Sequence, residues 1–126
     1  MKTVLVIDDA ILIRRQLKLF FEKQMGLEVV GEGADGEQAV KLYQEKTPDL
    51  ITMDLIMPNK SGLEAIAEII KFDPKARILV IRSDKTEDKI TRALNLGARG
   101  FILKPLELHS DSFLEWFMEE VNDAFD

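Results

Sequence analysis

Five times along this chain a short apolar run, rich in β-branched residues, stops at a charged residue or a turn. Each time the period of the apolar residues then changes to that of a helix. The runs are 2–7 (Lys-Thr-Val-Leu-Val-Ile), 27–31, 49–53, 77–81 and 100–103. An apolar run without polar alternation describes a strand covered on both faces, the mark of a parallel sheet. In residues 10–24, Ile11, Leu12, Ile13, Leu17, Leu19 and Phe20 recur at helical spacing until Met25-Gly26 closes the segment. Asp35 is placed to cap a helix over 36–46 whose buried side carries Ala39, Val40 and Tyr43. Ser61 with Glu64 has capping-box spacing and opens a helix through Ile70. Asp84 with Glu87 offers a second box before a helix that ends at Leu96, where Gly97 is a natural stop. A last helix over 110–123 turns Phe113, Leu114, Phe117 and Val121 inward. With only short connections between them, right-handed crossovers place these helices on both faces of a five-stranded parallel sheet. The expectation is α/β, doubly wound, with one domain over 1–126.

Composition narrows the chemistry. Of 126 residues, 46% are hydrophobic and 32% charged, which suits a globule with a core and not a disordered or fibrous chain. Seventeen bases against 23 acids leave a net charge of -6, a poor endowment for gripping a nucleic-acid backbone. The absence of cysteine removes disulfides, thiolate nucleophiles and sulfur-ligated metals together, and the single histidine, His109, leaves no histidine-built zinc site. No apolar stretch reaches the roughly 18 residues of a membrane span, and nothing at the start reads as a signal peptide, so a cytoplasmic location is expected.

In an open α/β sheet, ligands bind beyond the carboxyl ends of the strands, near the switch in strand order. Those ends carry Asp8 and Asp9 after the first run, Asp54 after the third, Arg82-Ser83-Asp84 after the fourth and Lys104 after the fifth. One such aspartate alone is ordinarily a turn or cap residue. Three acids and two cationic side chains at corresponding ends are another matter, because crowded carboxylates repel unless a cation offsets them. An oxygen-only donor set suits Mg²⁺, and a lysine is a point charge for phosphoryl oxygen. The familiar nucleotide devices are missing. Gly31-Glu32-Gly33 with Gly36 follows the second run and does not open the first helix, and no P-loop lysine follows a glycine run.

These marks resemble the receiver domain of two-component response regulators, particularly the stand-alone chemotaxis regulators. They are Val4-Leu5-Val6-Ile7-Asp8-Asp9, then Pro48 through Asp54-Leu55-Ile56-Met57-Pro58, then Ser61-Gly62, Gly97-Ala98 and Lys104-Pro105. The resemblance covers about residues 3–105 strongly and the last helix weakly. It implies a flavodoxin-like sheet of strand order 2-1-3-4-5, with Asp54 as phosphoacceptor for a sensor histidine kinase or phosphotransfer protein. It also implies that Asp9, Asp54 and the Ile56 carbonyl ligate Mg²⁺, with Asp8 helping largely through water. Lys104 would contact the phosphoryl group and pair with Asp54 when that residue is unmodified, and the Lys104-Pro105 bond would be cis. Self-limiting hydrolysis of the acyl phosphate follows, and a carboxy-terminal face, with Trp116 and Phe125 as possible exposed aromatics, would bind a downstream target such as a motor or relay component. The expected state is monomeric, with weak dimerisation left open, no direct nucleic-acid contact and no membrane insertion.

One departure stands out. Counting without gaps from Pro74 to Gly97 and Lys104 puts Arg82 where such receivers carry a switch threonine or serine, and Ser83 on the following small residue. A guanidinium is long, forked and permanently charged. It can bind the phosphoryl group, bridge the resting acids or point to solvent, while a local shift would let Ser83 supply the hydroxyl. Phe101 takes the place of the family's switch aromatic and is equally readable as a core residue, and Leu106 replaces the phenylalanine that often follows Lys-Pro. Three rival readings stay open: a fragment of a larger DNA-binding or enzymatic regulator, a binding module that works without phosphorylation, and a small hydrolase with a carboxylate nucleophile.

Overall fold

The computed structural model describes residues 1–126, and the side chains of all but Asp84 and Lys85. Its strands are β1 (Thr3–Ile7), β2 (Glu28–Gly33), β3 (Leu50–Asp54), β4 (Ile78–Arg82) and β5 (Gly100–Leu103). All pair in parallel in the order β2-β1-β3-β4-β5, the flavodoxin-like receiver sheet. The helices are α1 (Ile11–Leu19), α2 (Gly36–Lys46), α3 (Gly62–Phe72), α4 (Ile90–Leu96) and α5 (Asp111–Phe125).

Strand alternation sorts the core into two layers. Leu5, Ile7, Ile51, Met53, Ile78 and Val80 face one side, where Ala39 and Tyr43 of α2, Ala65, Ile66 and Ile69 of α3, and Ala93 of α4 cover them. Val4, Val6, Leu50, Leu79, Ile81 and Ile102 face the other side, under Leu17, Phe20, Phe21, Phe117 and Val121. Burial on both faces explains why the strands read as unbroken apolar runs.

The departures from the sequence reading have local causes. Residues 10–24 are not one α-helix. After Leu19 the chain widens into a π-helical turn, Phe20–Gln24. Neighbours in an α-helix are about 100° apart, so burying two consecutive phenylalanines takes a broad apolar face. The widened turn buries both, stacking Phe20 on Phe117 at 4.1 Å and setting Phe21 edge-on to the same ring. Ile11, Leu12 and Leu19, counted on the apolar side of this helix, are exposed instead. Strand β2 runs on through Gly31 and Gly33, past the expected end at 31. There a Cβ at residue 33 would lie 2.9 Å from Ile7 Cδ1, so this glycine makes room for the neighbouring strand and cradles no phosphate.

The Ser61–Glu64 capping box forms as expected. The proposed Asp84–Glu87 box rests on a side chain outside the described residues. Residues 84–89 form a 3-10 turn, held at its start by Thr86, whose buried hydroxyl oxygen accepts the Ser83 N–H at 2.9 Å. Among the described residues, no helix is long and apolar enough to cross a membrane.

Candidate functional site

β1 and β3 lie side by side at the sheet's centre, with Ile7 opposite Met53. Their connections leave in opposite directions, to β2 and to β4, which is where such a sheet opens a crevice. The residues that end these strands therefore meet. Carboxylate oxygens of Asp8, Asp9 and Asp54 all lie within 4.8 Å of one another. From beyond β5, Lys104 reaches across β4 and places its ammonium 2.9 Å from Asp8 Oδ2 and 3.5 Å from Asp54 Oδ2. Its peptide bond to Pro105 is cis, as the resemblance implied.

The three acids are not equivalent. Asp8 is fully buried, its Oδ1 accepting the Ala10 N–H at 2.9 Å while Oδ2 faces Lys104. Asp54 is 6% exposed. Asp9 is exposed at the rim. Asp9, Asp54 and Lys104, with Ile13, Ile56, Ser83 and Pro105, line an open cavity of about 550 Å³. The resemblance pairs Lys104 with Asp54, and the structure shows that pair, but the shorter contact is to Asp8.

Burial, reinforced by the charge of Asp8, pushes the Asp54 carboxyl up to about 6, with Lys104 pulling it part of the way back. Burial also holds Asp8 above the usual carboxylate range, against the opposing pull of Lys104 and the Ala10 amide. The Lys104 ammonium is disfavoured by burial, yet its contacts with Asp8 and Asp54 outweigh that and keep it above its ordinary value. Among the described residues, one lysine thus faces three acids, a deficit of positive charge that a divalent cation matches. The donors are all hard oxygens, some buried and some open to solvent, and this fits a cation that keeps part of its water shell.

Two supports for this site were not legible in the sequence. Arg14 donates from Nη1 to the Asp8 carbonyl at 2.6 Å and from Nε to Glu32 at 3.3 Å, fixing the turn that carries Asp8 and Asp9. The loop after β3 is clamped to the start of α2. Asn59, at φ 66°, donates to Asp35 Oδ2 at 2.8 Å, and the Gly36 N–H donates to the Lys60 carbonyl at 2.9 Å. At the loop's far end Gly62 crosses so close to β3 that a Cβ would lie 2.2 Å from the Asp54 carbonyl oxygen, which only glycine allows. Asp35 reads from sequence as a cap alone. It does cap, accepting the Gln38 N–H at 2.8 Å, but it also holds the loop that bears Ile56.

Those two bonds hold the Asp35 carboxyl below its usual 3.8, so its contribution to stability is full above that pH and is lost as the pH falls through the lowered value. Asp35→Ala is expected to destabilise the protein by about 1–2 kcal/mol at neutral pH, measured by urea denaturation, with the deficit closing in acid. An unchanged midpoint would show that neither bond contributes.

The switch positions arrange themselves differently from their sequence order. Ser83 lines the cavity and Arg82 does not. With Asp54 unmodified, the Arg82 guanidinium turns from the acids, pairing with Glu87 at 3.1 Å and lying over the Phe101 ring at 5.3 Å. Phe101 is half-buried at the edge of the core, with Trp116 of α5 at 6.5 Å. Trp116 and Phe125 are themselves half-buried, and Leu106 is buried.

Comparison with known proteins agrees with this geometry. The family model for the response regulator receiver domain matches residues 4–110. Protein CcdB of Bacillus subtilis is 43% identical over 107 residues, covering 85% of this chain and 88% of that protein. Chemotaxis protein CheY of Thermotoga maritima is 42% identical over 106 residues, covering 84% of this chain and 88% of that one. Among solved structures, the CheX–CheY–BeF3–Mg complex of Borrelia burgdorferi superposes with a TM-score of 0.88 at 30% identity, covering 99% of this chain and 90% of that chain. The sheet and its acid cluster therefore define a phosphoacceptor-type α/β domain. The chain belongs to the response-regulator receiver family and is related to the CheY-type chemotaxis regulators.

Proposed function

We propose that this chain is a stand-alone signalling switch in which Asp54 accepts one phosphoryl group from a phosphohistidine of a sensor kinase or phosphotransfer protein. The observation that carries this reading is a nearly buried carboxylate opening on the cavity, with Asp8 and Asp9 on one side and Lys104 at 3.5 Å on the other. An Asp54 oxygen attacks phosphorus, the phosphorus–nitrogen bond breaks, and the electron pair leaves with the imidazole. Lys104 moves from the carboxylates toward the arriving phosphoryl oxygens. Later an incoming water attacks the same phosphorus, the bond to Asp54 breaks, and inorganic phosphate leaves.

Asp9, Asp54 and the Ile56 carbonyl are the proposed ligands of a Mg²⁺ ion. Asp8, committed to Lys104 and Ala10, acts from behind them. The ion when bound supplies charge neutralisation for an anionic donor meeting an anionic acceptor. Ser83 supplies the hydroxyl nearest the phosphoryl site, a role favoured by its place in the cavity wall.

For output, α4, β5 and α5 present the half-buried Phe101 and Trp116 beside exposed Leu94 and Leu103, a surface suited to a protein target. A chemotaxis-type target and a cytoplasmic setting are proposed by analogy with relatives named chemotaxis protein CheY, which match over most of their length. The testing experiment is incubation with acetyl phosphate and Mg²⁺ followed by intact-mass measurement. The protein is expected to gain one phosphoryl group, and EDTA to prevent the gain. An unchanged mass, or an equal gain in EDTA, would overturn the reading.

A further inference from the structure

Among the described residues, Arg82 is held at two points that have no part in the acid cluster. Its Nη2 pairs with Glu87 Oε1 at 3.1 Å, and its guanidinium carbon stands 5.3 Å from the centre of the Phe101 ring. Glu87 belongs to the 3-10 turn after β4, whereas Phe101 sits on β5 opposite Val80, with Trp116 of α5 beyond it. One side chain thus ties the end of β4 to the turn that follows it and to an aromatic pair on β5 and α5. Neither tie is strong. Glu87 is 72% exposed at its side chain, so the pair is screened by solvent, and a cation over a half-exposed ring gains little more.

We propose that Glu87 is the resting partner of Arg82 and competes with the phosphoryl group on Asp54 for its guanidinium. This rests on Asp54 being the phosphoacceptor. Arg82 directly precedes Ser83, which shares the cavity wall with Asp54 and Lys104. A phosphoryl group brings about two negative charges and offers two oxygens to the guanidinium fork. That exchange, from a screened single contact to a charge-assisted double one, favours the phosphoryl group. When Arg82 leaves, the 3-10 turn loses one of its ties to the end of β4 and Phe101 loses the cation over its face. The modification of Asp54 then reaches the α5 side of the molecule through a departing arginine.

The chain has a single tryptophan, Trp116, which reports on the second half of this path. The experiment follows two quantities after phosphorylation by acetyl phosphate: the acyl-phosphate lifetime, by intact mass, and the change in Trp116 fluorescence. Wild type is compared with Glu87→Gln, Arg82→Ala and the double variant. Glu87→Gln removes the competitor and is expected to lengthen the lifetime about two- to fivefold, the range of an exposed ion pair. Arg82→Ala is expected to shorten the lifetime and abolish the fluorescence change. In the Arg82→Ala background, Glu87→Gln is expected to alter neither. An equal effect of Glu87→Gln with and without Arg82, or no effect with Arg82 present, would overturn the competition while leaving the phosphoacceptor intact. Failure of wild type to gain mass would instead overturn the reading beneath it.

Discussion

Asp9→Ala is expected to lower the affinity for Mg²⁺ by about tenfold or more, and Asp8→Ala by clearly less. The two residues are adjacent in sequence and identical in type, and the structure gives the physical reason for the different roles the resemblance implies. Asp9 is exposed on the cavity wall, and among the described residues it has no ion pair or hydrogen bond to give up on binding a cation. Asp8 is fully buried and already engaged, with one oxygen on the Ala10 amide and the other on Lys104. Its removal takes charge from behind the site and releases Lys104 to Asp54, but removes no solvent-facing ligand. Calorimetric titration of the two variants and wild type measures the difference. Equal losses, or a larger loss for Asp8→Ala, would place the ion elsewhere in the cluster.

Asp54→Asn is expected to stabilise the metal-free protein at neutral pH. Its carboxyl, ordinarily at 3.8, is raised by burial and by Asp8 to about 6, a difference of about 2 units, equivalent to about 2–3 kcal/mol. For an acid the sign is fixed. The folded state binds this proton more tightly than the unfolded chain, so ionisation opposes folding at full strength above about pH 6. The penalty shrinks as the pH falls from 6 toward 3.8 and vanishes below. In EDTA, urea denaturation at neutral pH should therefore show Asp54→Asn as the more stable protein, with the gain fading on acidification. A variant less stable than wild type at neutral pH would mean that the Lys104 pair more than compensates the burial. A site that binds charge when loaded holds uncompensated charge when empty, and this is where the fold gives up stability for reactivity.

The sheet and the acid triad were legible because they follow from chain-local signals. A parallel strand covered on both faces has to be an unbroken apolar run, and the residue that ends it has to lie at one edge of the sheet. Knowing that five runs end in this way was enough to bring Asp8, Asp9, Asp54 and Lys104 together. What escaped depended on contacts between distant segments. The inward turn of both Phe20 and Phe21 comes with a locally wider helical turn packed against the Phe117 ring on α5. A fixed period could not show it, nor could it show that Ile11 and Leu12 stay exposed. Asn59 and Asp35 are 24 residues apart and bond only because α2 and the loop after β3 share one end of the sheet.

Arg82 is the most instructive residue. Counting without gaps from Pro74 to Gly97 and Lys104 placed it at the switch position of the resembled family, with a charge near the acids as one of its readings. The side chain is long enough to find Glu87 and Phe101 instead, leaving the short Ser83 on the cavity wall. Backbone register was readable, whereas the resting partner of a long, flexible cation was not, because it depends on where the following turn carries Glu87.

Asp54 is the nucleophile on which the proposed switch rests, and locating the modification tests that most directly. After acetyl phosphate and Mg²⁺ treatment, peptide mapping of wild type should find the phosphoryl group on the peptide that carries Asp54, and intact mass of Asp54→Ala should show no gain. A phosphoryl group mapped to Asp8, Asp9 or Ser83 in wild type, or an undiminished gain in Asp54→Ala, would contradict it.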